Sequence, residues 1–333
     1  MKVPVRVKFA LSAISNVHRQ GPEQNILLFA TPRGGSTWVM EILASQPGIK
    51  YFDEPFNIRR ANVAHTKLFT GWEDLMPDTN SPDALVRYMN DLAANRYPHM
   101  NPPPFRPLHR FRTDRIVFKL HELEHLVGTL AARCNAQVVY LLRHPVPTTL
   151  SRAVFPRLEL FLQSPHYRGL IGDDRKLREI DNLVAHGSHL ERGVVSWCYE
   201  NIVPLQHRDF DGLFITYEEM VVNPVRSCDL LLERLHFRDR RAMLAAFDQP
   251  AANIAMSKTV TRSMFTDADE RTRRSYLVSK WLQRVTPAER TAVSNILALF
   301  EIDTYAADDP LPRQHLHFDD TRQMLGGSAT SAE

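Results

Sequence analysis

The chain has 333 residues, 44% hydrophobic and 24% charged, an ordinary composition for a soluble globular protein that buries a real core. A formal net charge of +3 is too small to argue for a nucleic-acid partner. Cys134, Cys198 and Cys228 are scattered without Cys-x-x-Cys spacing, which fits neither a disulfide framework nor a zinc site and points to a reducing cytoplasm.

No apolar run approaches the roughly 20 residues needed to span a bilayer. Residues 1–16 are basic and moderately apolar, and Arg6 and Lys8 interrupt the apolar stretch, so the segment is a poor signal peptide. It also suits an interfacial helix, with Lys2, Arg6, Lys8 and Arg19 facing lipid headgroups. Residues 1–24 are therefore set apart from the main domain, with an interfacial helix as one reading of the segment and a cytoplasmic protein as the expected setting.

The run Asn25-Ile26-Leu27-Leu28-Phe29-Ala30 reads as a buried strand, and Thr31-Pro32-Arg33-Gly34-Gly35-Ser36-Thr37-Trp38 as a turn leading into a helix. A helix N-terminus after a glycine turn offers unpaired N–H groups and a positive dipole end to a phosphate or sulfate group. Gly34 and Gly35 let the backbone approach the anion, Arg33 adds fixed charge, and Ser36 and Thr37 add hydroxyl donors. The run departs from the nucleoside-triphosphate loop of kinases and ATPases, which disfavours a triphosphate site. Gly35 is followed by Ser36 rather than lysine, and Ala30 stands where that loop requires its first glycine.

Four further strands are expected at residues 49–52, 116–120, 137–142 and 213–217, each beside helix-like segments. This predicts an α/β, P-loop-like three-layer fold with a central, mainly parallel sheet of about five strands. Glu54, in Tyr51-Phe52-Asp53-Glu54-Pro55-Phe56-Asn57, is a candidate carboxylate base. Lys119 and His121 alternate with apolar residues at the third strand and project from one face. There the histidine can act as a general base and the lysine can neutralise a departing anion. Arg143 follows the fourth strand at its carboxyl end, the edge where open α/β sheets bind ligands. Ser151, eight positions on, lies about two helical turns away on a similar face and is suited to a second phosphate.

Helix starts are marked at Ser81-Pro82, Asn223-Pro224 and Thr286-Pro287-Ala288-Glu289, the last a capping box. Residues 122–133, 190–206, 225–235 and 287–301 have helical spacing. Two stretches, 57–115 and 165–189, read as long irregular insertions walling a substrate cleft. Arg106, His109, Arg110 and Arg112 suit an acidic or polar acceptor. The expected organisation is a segment 1–24, an α/β domain 25–305 with those insertions, and a tail 306–333.

Taken together, these motifs resemble the sulfotransferases that use 3′-phosphoadenosine 5′-phosphosulfate. That family's Pro-[Lys/Arg]-x-Gly-[Ser/Thr]-[Ser/Thr] loop for the 5′-phosphosulfate is matched by residues 32–37. Its arginine and serine for the 3′-phosphate are matched by Arg143 and Ser151. Lys119-Leu120-His121 is similar to the Lys-Thr-His element of the cytosolic branch, whose histidine is the base. Thr216-Tyr217-Glu218-Glu219-Met220 is similar to the Tyr-Glu-Asp-Leu segment, whose tyrosine lies near the adenine. Residues 51–56 resemble the Glu-Pro region of carbohydrate sulfotransferases, where a glutamate can be the base, so His121 and Glu54 stand as competing candidates. The stretch from Trp281 to Arg290 is similar to the ends of bacterial carbohydrate and lipid sulfotransferases.

The Arg-Lys-Gly-x-x-Gly-Asp-Trp element of the cytosolic branch is absent, and Lys258, Arg262 and the arginines between 271 and 274 are the nearest basic material. Lys258-Thr259-Val260 lacks the spacing of that branch's dimerisation motif, so no oligomeric state is carried over. The resemblance implies sulfuryl transfer from that donor, with no metal, to a hydroxyl of a glycan, glycolipid or other small molecule. Arg33, Gly34, Gly35, Ser36, Thr37, Trp38, Arg143, Ser151 and Tyr217 would bind the donor. The rival readings are a P-loop kinase or nucleotide hydrolase and a non-catalytic nucleotide-binding protein.

Overall fold

The five expected strands form one parallel sheet. In the computed structural model, which describes residues 5–59, 69–78, 82–102, 104, 108–206, 210–249 and 270–313, they are β2 (Asn25–Ala30), β3 (Ile49–Asp53), β5 (Arg115–Leu120), β6 (Ala136–Leu142) and β7 (Gly212–Thr216). Their order is β3-β5-β2-β6-β7 and every neighbouring pair is parallel. A separate two-residue parallel ladder joins β1 (Val17–His18) to β4 (Arg112–Thr113).

β2 is apolar throughout because both of its faces are covered. Ile26, Leu28 and Ala30 join a core with Val117, Val139 and Ile215 under helices α2 (Ser36–Ala44), α11 (Pro224–Arg234) and α12 (Arg240–Phe247). Leu27 and Phe29 face the opposite core, built with Phe118, Tyr140 and Phe214 under α3 (Pro82–Ala93), α4 (Val127–Arg133), α9 (His189–Gln206) and α14 (Pro287–Leu299). The result is three layers, helices over sheet over helices. Since all five strands run the same way, their carboxyl ends share one edge, and the segments leaving that edge begin at Thr31, Glu54, His121, Arg143 and Tyr217.

Three local expectations need correction. The stretch 165–189 is helical, with α7 (Pro165–Ile171) capped by Ser164 and α8 (Asp174–His186) capped by Asp173. Its apolar positions Leu177, Ile180 and Val184 are buried, while the charged positions between them face water and obscure the pattern. Asn223 precedes α11 without a side-chain capping bond, whereas the Thr286–Glu289 capping box of α14 forms as expected. Helix α5 (Pro145–Leu150) ends one residue before Ser151, so that serine caps a short helix rather than riding two turns along it. Ser81 lies outside the described residues. Of the insertion 57–115, the described part contains α3, two single turns, Glu73–Leu75 and Pro98–Met100, and β4.

Candidate active site

The turn after β2 is shaped by two departures from ordinary backbone on either side of Gly34. The Gly34 N–H donates to the Thr31 carbonyl at 2.9 Å, and Arg33 and Gly35 both have positive φ, 69° and 95°. Gly35 is the N-cap of α2 and supplies no side-chain cap, so the first amides of the helix open onto the sheet edge. A Cβ at Gly35 would stand 2.5 Å from Tyr217 Cδ2, so only glycine lets the aromatic ring lie against this backbone.

Arg143 meets the same turn. Its Nη1 donates to the Arg33 carbonyl at 3.0 Å, and its guanidinium lies 4.2 Å from the centre of the Tyr217 ring. The backbone beneath it is fixed on both sides. Trp197 Nε1 donates to the Arg143 carbonyl at 3.1 Å, and the His144 N–H donates to Glu218 at 3.0 Å. The His144 ring is clasped between Trp281 and Tyr305, and Tyr305 donates to the other Glu218 oxygen at 2.9 Å. Trp38 meets the edge of Tyr217 with ring centres 5.6 Å apart and donates from Nε1 to the Gln249 carbonyl. Ser151 donates to the Thr148 carbonyl at 2.8 Å, and no hydrogen bond joins it to Arg143 among the described residues.

The third cluster joins the loop to the carboxylates. Lys119 stands in register with Asp53 on β3, and this pairing brings its buried ammonium against Asp53, 2.9 Å from Glu54 and 3.1 Å from the Thr37 hydroxyl. His121 Nε2 is 2.7 Å from Ser36 Oγ, while Nδ1 is 3.4 Å from Glu54. A carboxylate can only accept, so this arrangement favours the Nδ1–H tautomer with Nε2 accepting from the serine. Burial, reinforced by the Lys119 charge, pushes the His121 pKa down to about 3, so the ring is neutral across the physiological range. Glu54 has φ 54° and its second oxygen accepts from Asn57 Nδ2 at 2.6 Å.

Behind His121 lies a buried ionic frame. Arg157 donates to both oxygens of Glu124 at 2.8 and 2.6 Å and to the His121 carbonyl at 2.9 Å. Arg152 pairs with Glu200 through two bonds of 2.9 Å. Burial raises the Glu122 pKa to about 8, and its carboxyl accepts from the His121 N–H.

The fold thus brings together Arg33, Gly34, Gly35, Ser36, Thr37, Trp38, Glu54, Lys119, His121, Arg143 and Tyr217, while Ser151 sits at the C-terminal end of α5 bonded to Thr148. Sequence reasoning missed Asp53, Asn57 and Arg157 as parts of the cluster. Asp53 was recoverable from strand register with Lys119; nothing local marks Arg157. Of the late basic residues, Lys258 and Arg262 lie outside the described residues, and Arg274 is committed to Val221 and Asp248. Lys280 instead lies in the field of Arg143 and Arg284, and after burial these charges lower its pKa.

Residues 25–240 match the model of the sulfotransferase family. No match was found among curated protein sequences. Among solved structures, the chain is similar to the sulfotransferase domain of the Synechococcus PCC 7002 olefin synthase, at 17% identity over 86% of this chain and 97% of that one, with a TM-score of 0.42. It is also similar to mouse sulfotransferase SULT7A1 complexed with PAP, at 14% identity over 88% of each chain and a TM-score of 0.39. A third is the sulfotransferase domain from the curacin biosynthetic pathway, at 15% identity over 85% of this chain and 99% of that one, with a TM-score of 0.41. With the family match spanning most of the chain, including the anion loop, Lys119, His121, Arg143 and Tyr217, this protein belongs to the sulfotransferase family.

Proposed function

We propose that the chain transfers the sulfuryl group of 3′-phosphoadenosine 5′-phosphosulfate to a hydroxyl of a glycan, glycolipid or other small acceptor. One observation carries the reading: the Lys119 ammonium touches both the Thr37 hydroxyl of the anion loop and the Asp53–Glu54 carboxylates. A cation at that point serves the donor on one side and the acceptor's proton on the other.

The residues suit this donor. The α2 amides, Arg33, Ser36 and Thr37 would hold its 5′ end, and Trp38 and Tyr217 would flank the base. Arg143 Nε is buried and finds no partner among the described residues, leaving a donor available for the 3′-phosphate. Ser151 and Lys280 would complete that end. Bound there, the donor supplies the activated sulfuryl group. Arg33, Lys119 and the loop amides then act as fixed dipoles and charges where negative charge grows, which requires no reorganisation during reaction.

Between the two candidate bases, we assign the proton to His121. The neutral imidazole has an accepting nitrogen at Nε2, and Glu54 on the Nδ1 side would stabilise the imidazolium. Glu54 itself is committed to Lys119 and Asn57. Ser36 would leave Nε2 when its hydroxyl turns to the donor, which would couple donor arrival to exposure of the base.

The test is a transfer assay with ³⁵S-labelled donor against glycan and glycolipid acceptors, paired with calorimetry of the bisphosphorylated adenosine product. Label transfer and product binding are expected. Absence of product binding, or Mg²⁺-dependent turnover of ATP or GTP in its place, overturns the reading.

A further inference from the structure

We infer that helix α1 and the adjoining β1–β4 ladder form a docking face for an anionic lipid surface. Helix α1 (Val5–Ser15) packs against the Pro98–Met100 turn, and its rotation is fixed by two residues. Ser12 is buried with its carbonyl accepting from Asn101 Nδ2, and buried Asn16, just beyond the helix, donates to the Arg110 carbonyl and to Thr113. Buried Lys50 ties the same corner together, donating to the side-chain oxygens of Asn16, Asn95 and Asn101.

With Ser12 turned inward, the positions at i, i+3, i+4 and i+7 from Val7 turn outward, and all are apolar: Val7, Ala10, Leu11 and Ile14. A surface helix normally buries its apolar side chains against the domain; this one leaves Val7 46%, Leu11 49% and Ile14 70% exposed. The adjoining ladder carries a further exposed apolar side chain, Val17 at 42% exposure. Residue 17 stands in register with the exposed Arg112, so an apolar and a cationic side chain lie side by side on one face of the ladder.

Charge identifies what covers it. Residues 1–22 contain Lys2, Arg6, Lys8 and Arg19 and no acid, and residues 97–113 contain Arg106, Arg110 and Arg112 and no acid. The first carboxylates are Glu23 and Asp114, where the two segments rejoin the domain. The protein's net charge is only +3, so these two segments are far more basic than the rest of the chain. An exposed apolar stripe borne by segments that are basic and acid-free in sequence matches an interface of acyl chains and anionic headgroups. A second copy of the chain would set this field against itself across a two-fold axis, which like-charge repulsion opposes.

The experiment is co-sedimentation of the full chain with phosphatidylcholine vesicles prepared with and without phosphatidylglycerol. Binding is expected only to the vesicles with phosphatidylglycerol, and it should weaken as salt shortens the Debye length. Leu11→Ser with Ile14→Ser should weaken it about tenfold by removing inserted apolar area. Arg112→Gln should weaken it about fivefold, the effect of one basic residue near a charged membrane. Both variants change exposed side chains, and an unaltered thermal midpoint verifies their fold. The inference is overturned if folded wild-type protein ignores the anionic vesicles, if it binds neutral ones equally, or if neither variant loses affinity. It is also overturned if sedimentation without lipid reveals a dimer that the serine variant abolishes, which would give the face to a second copy.

Discussion

The Arg143 side chain donates to the main-chain carbonyl of Arg33 at 3.0 Å, across 110 residues of sequence. This bond ties the turn after β2 to the end of β6, so the two arginine positions move as one unit. It is also what a single ligand with two separated anionic groups requires of its site, one cation fixed relative to the other.

Arg143→Ala should therefore weaken binding of the bisphosphorylated adenosine product by about 10- to 100-fold, the range for one charged hydrogen-bonding group. Arg143→Lys should recover little of this. An ammonium can replace the charge, but it cannot lie flat on Tyr217 while donating sideways to the Arg33 carbonyl. Calorimetric titration of the three proteins measures the order; equal affinity for all three would remove Arg143 from the site.

Gly35→Ala tests the backbone beneath that pair. The new methyl would lie 2.5 Å from Tyr217 Cδ2, in a residue with φ of 95°. Strain of about 1–3 kcal/mol is expected from the dihedral alone, and the ring must also move. Both the thermal midpoint and nucleotide affinity should fall. Adding Tyr217→Ala should restore part of the stability and none of the affinity, because it relieves the clash but removes the wall. A Gly35→Ala protein that binds nucleotide normally would show that the ring and the turn do not shape the site together.

Ser36 and His121 give the clearest kinetic signature. His121→Ala should lower kcat by about 10²- to 10⁴-fold, the range for a positioned general base. The free-enzyme pH profile of kcat/KM should show no acidic limb near 6.5, since His121 stays neutral down to about pH 3. A limb centred at the ordinary histidine value would contradict the buried, Lys119-facing environment. Ser36→Ala should preserve the flat profile while reducing donor affinity, which separates its loss from that of the base.

The sequence made the sheet legible because parallel strands buried on both faces are continuous apolar runs with polar boundaries, as in residues 25–30. The turn between β2 and α2 was legible for a related reason, since paired glycines after an apolar run mark a sharp strand-to-helix junction. Helices α7 and α8 were hidden because their exposed faces dominate the composition; the caps Ser164 and Asp173 were the overlooked signal. Ser36 with His121, and Arg157 with Glu124 and the His121 carbonyl, were illegible for a deeper reason. These pairs are 85, 33 and 36 residues apart, and only the crossover connections of the sheet bring them together. Lys50 shows the same limit, a lysine in a strand whose three partners lie on two distant segments, Asn16 on one and Asn95 and Asn101 on the other.

His144 carries a prediction about acid stability. Its Nε2 reaches the Ala306 carbonyl at 2.9 Å, and its Nδ1 accepts from the Val146 N–H at 3.2 Å. A proton on Nδ1 would oppose that N–H, and the ring is fully buried, so the neutral Nε2–H form is locked in. Burial lowers the pKa to about 4, against 6.5 when unfolded. The unfolded chain therefore takes up this proton first as pH falls, and stability linked to His144 is full above about pH 7, then declines between 6.5 and 4. Replacing it with glutamine, which keeps a donor for Ala306 but cannot titrate, removes that decline. From pH 7 to pH 5, the wild type should lose about 2 kcal/mol more unfolding free energy than His144→Gln, at 1.4 kcal/mol per pH unit. Other groups titrate in the same window, among them Glu122, whose raised pKa of about 8 acts in the opposite sense. They are common to both proteins, so the difference between the two urea-denaturation series isolates His144, and parallel pH dependences would show that its ring is not held neutral.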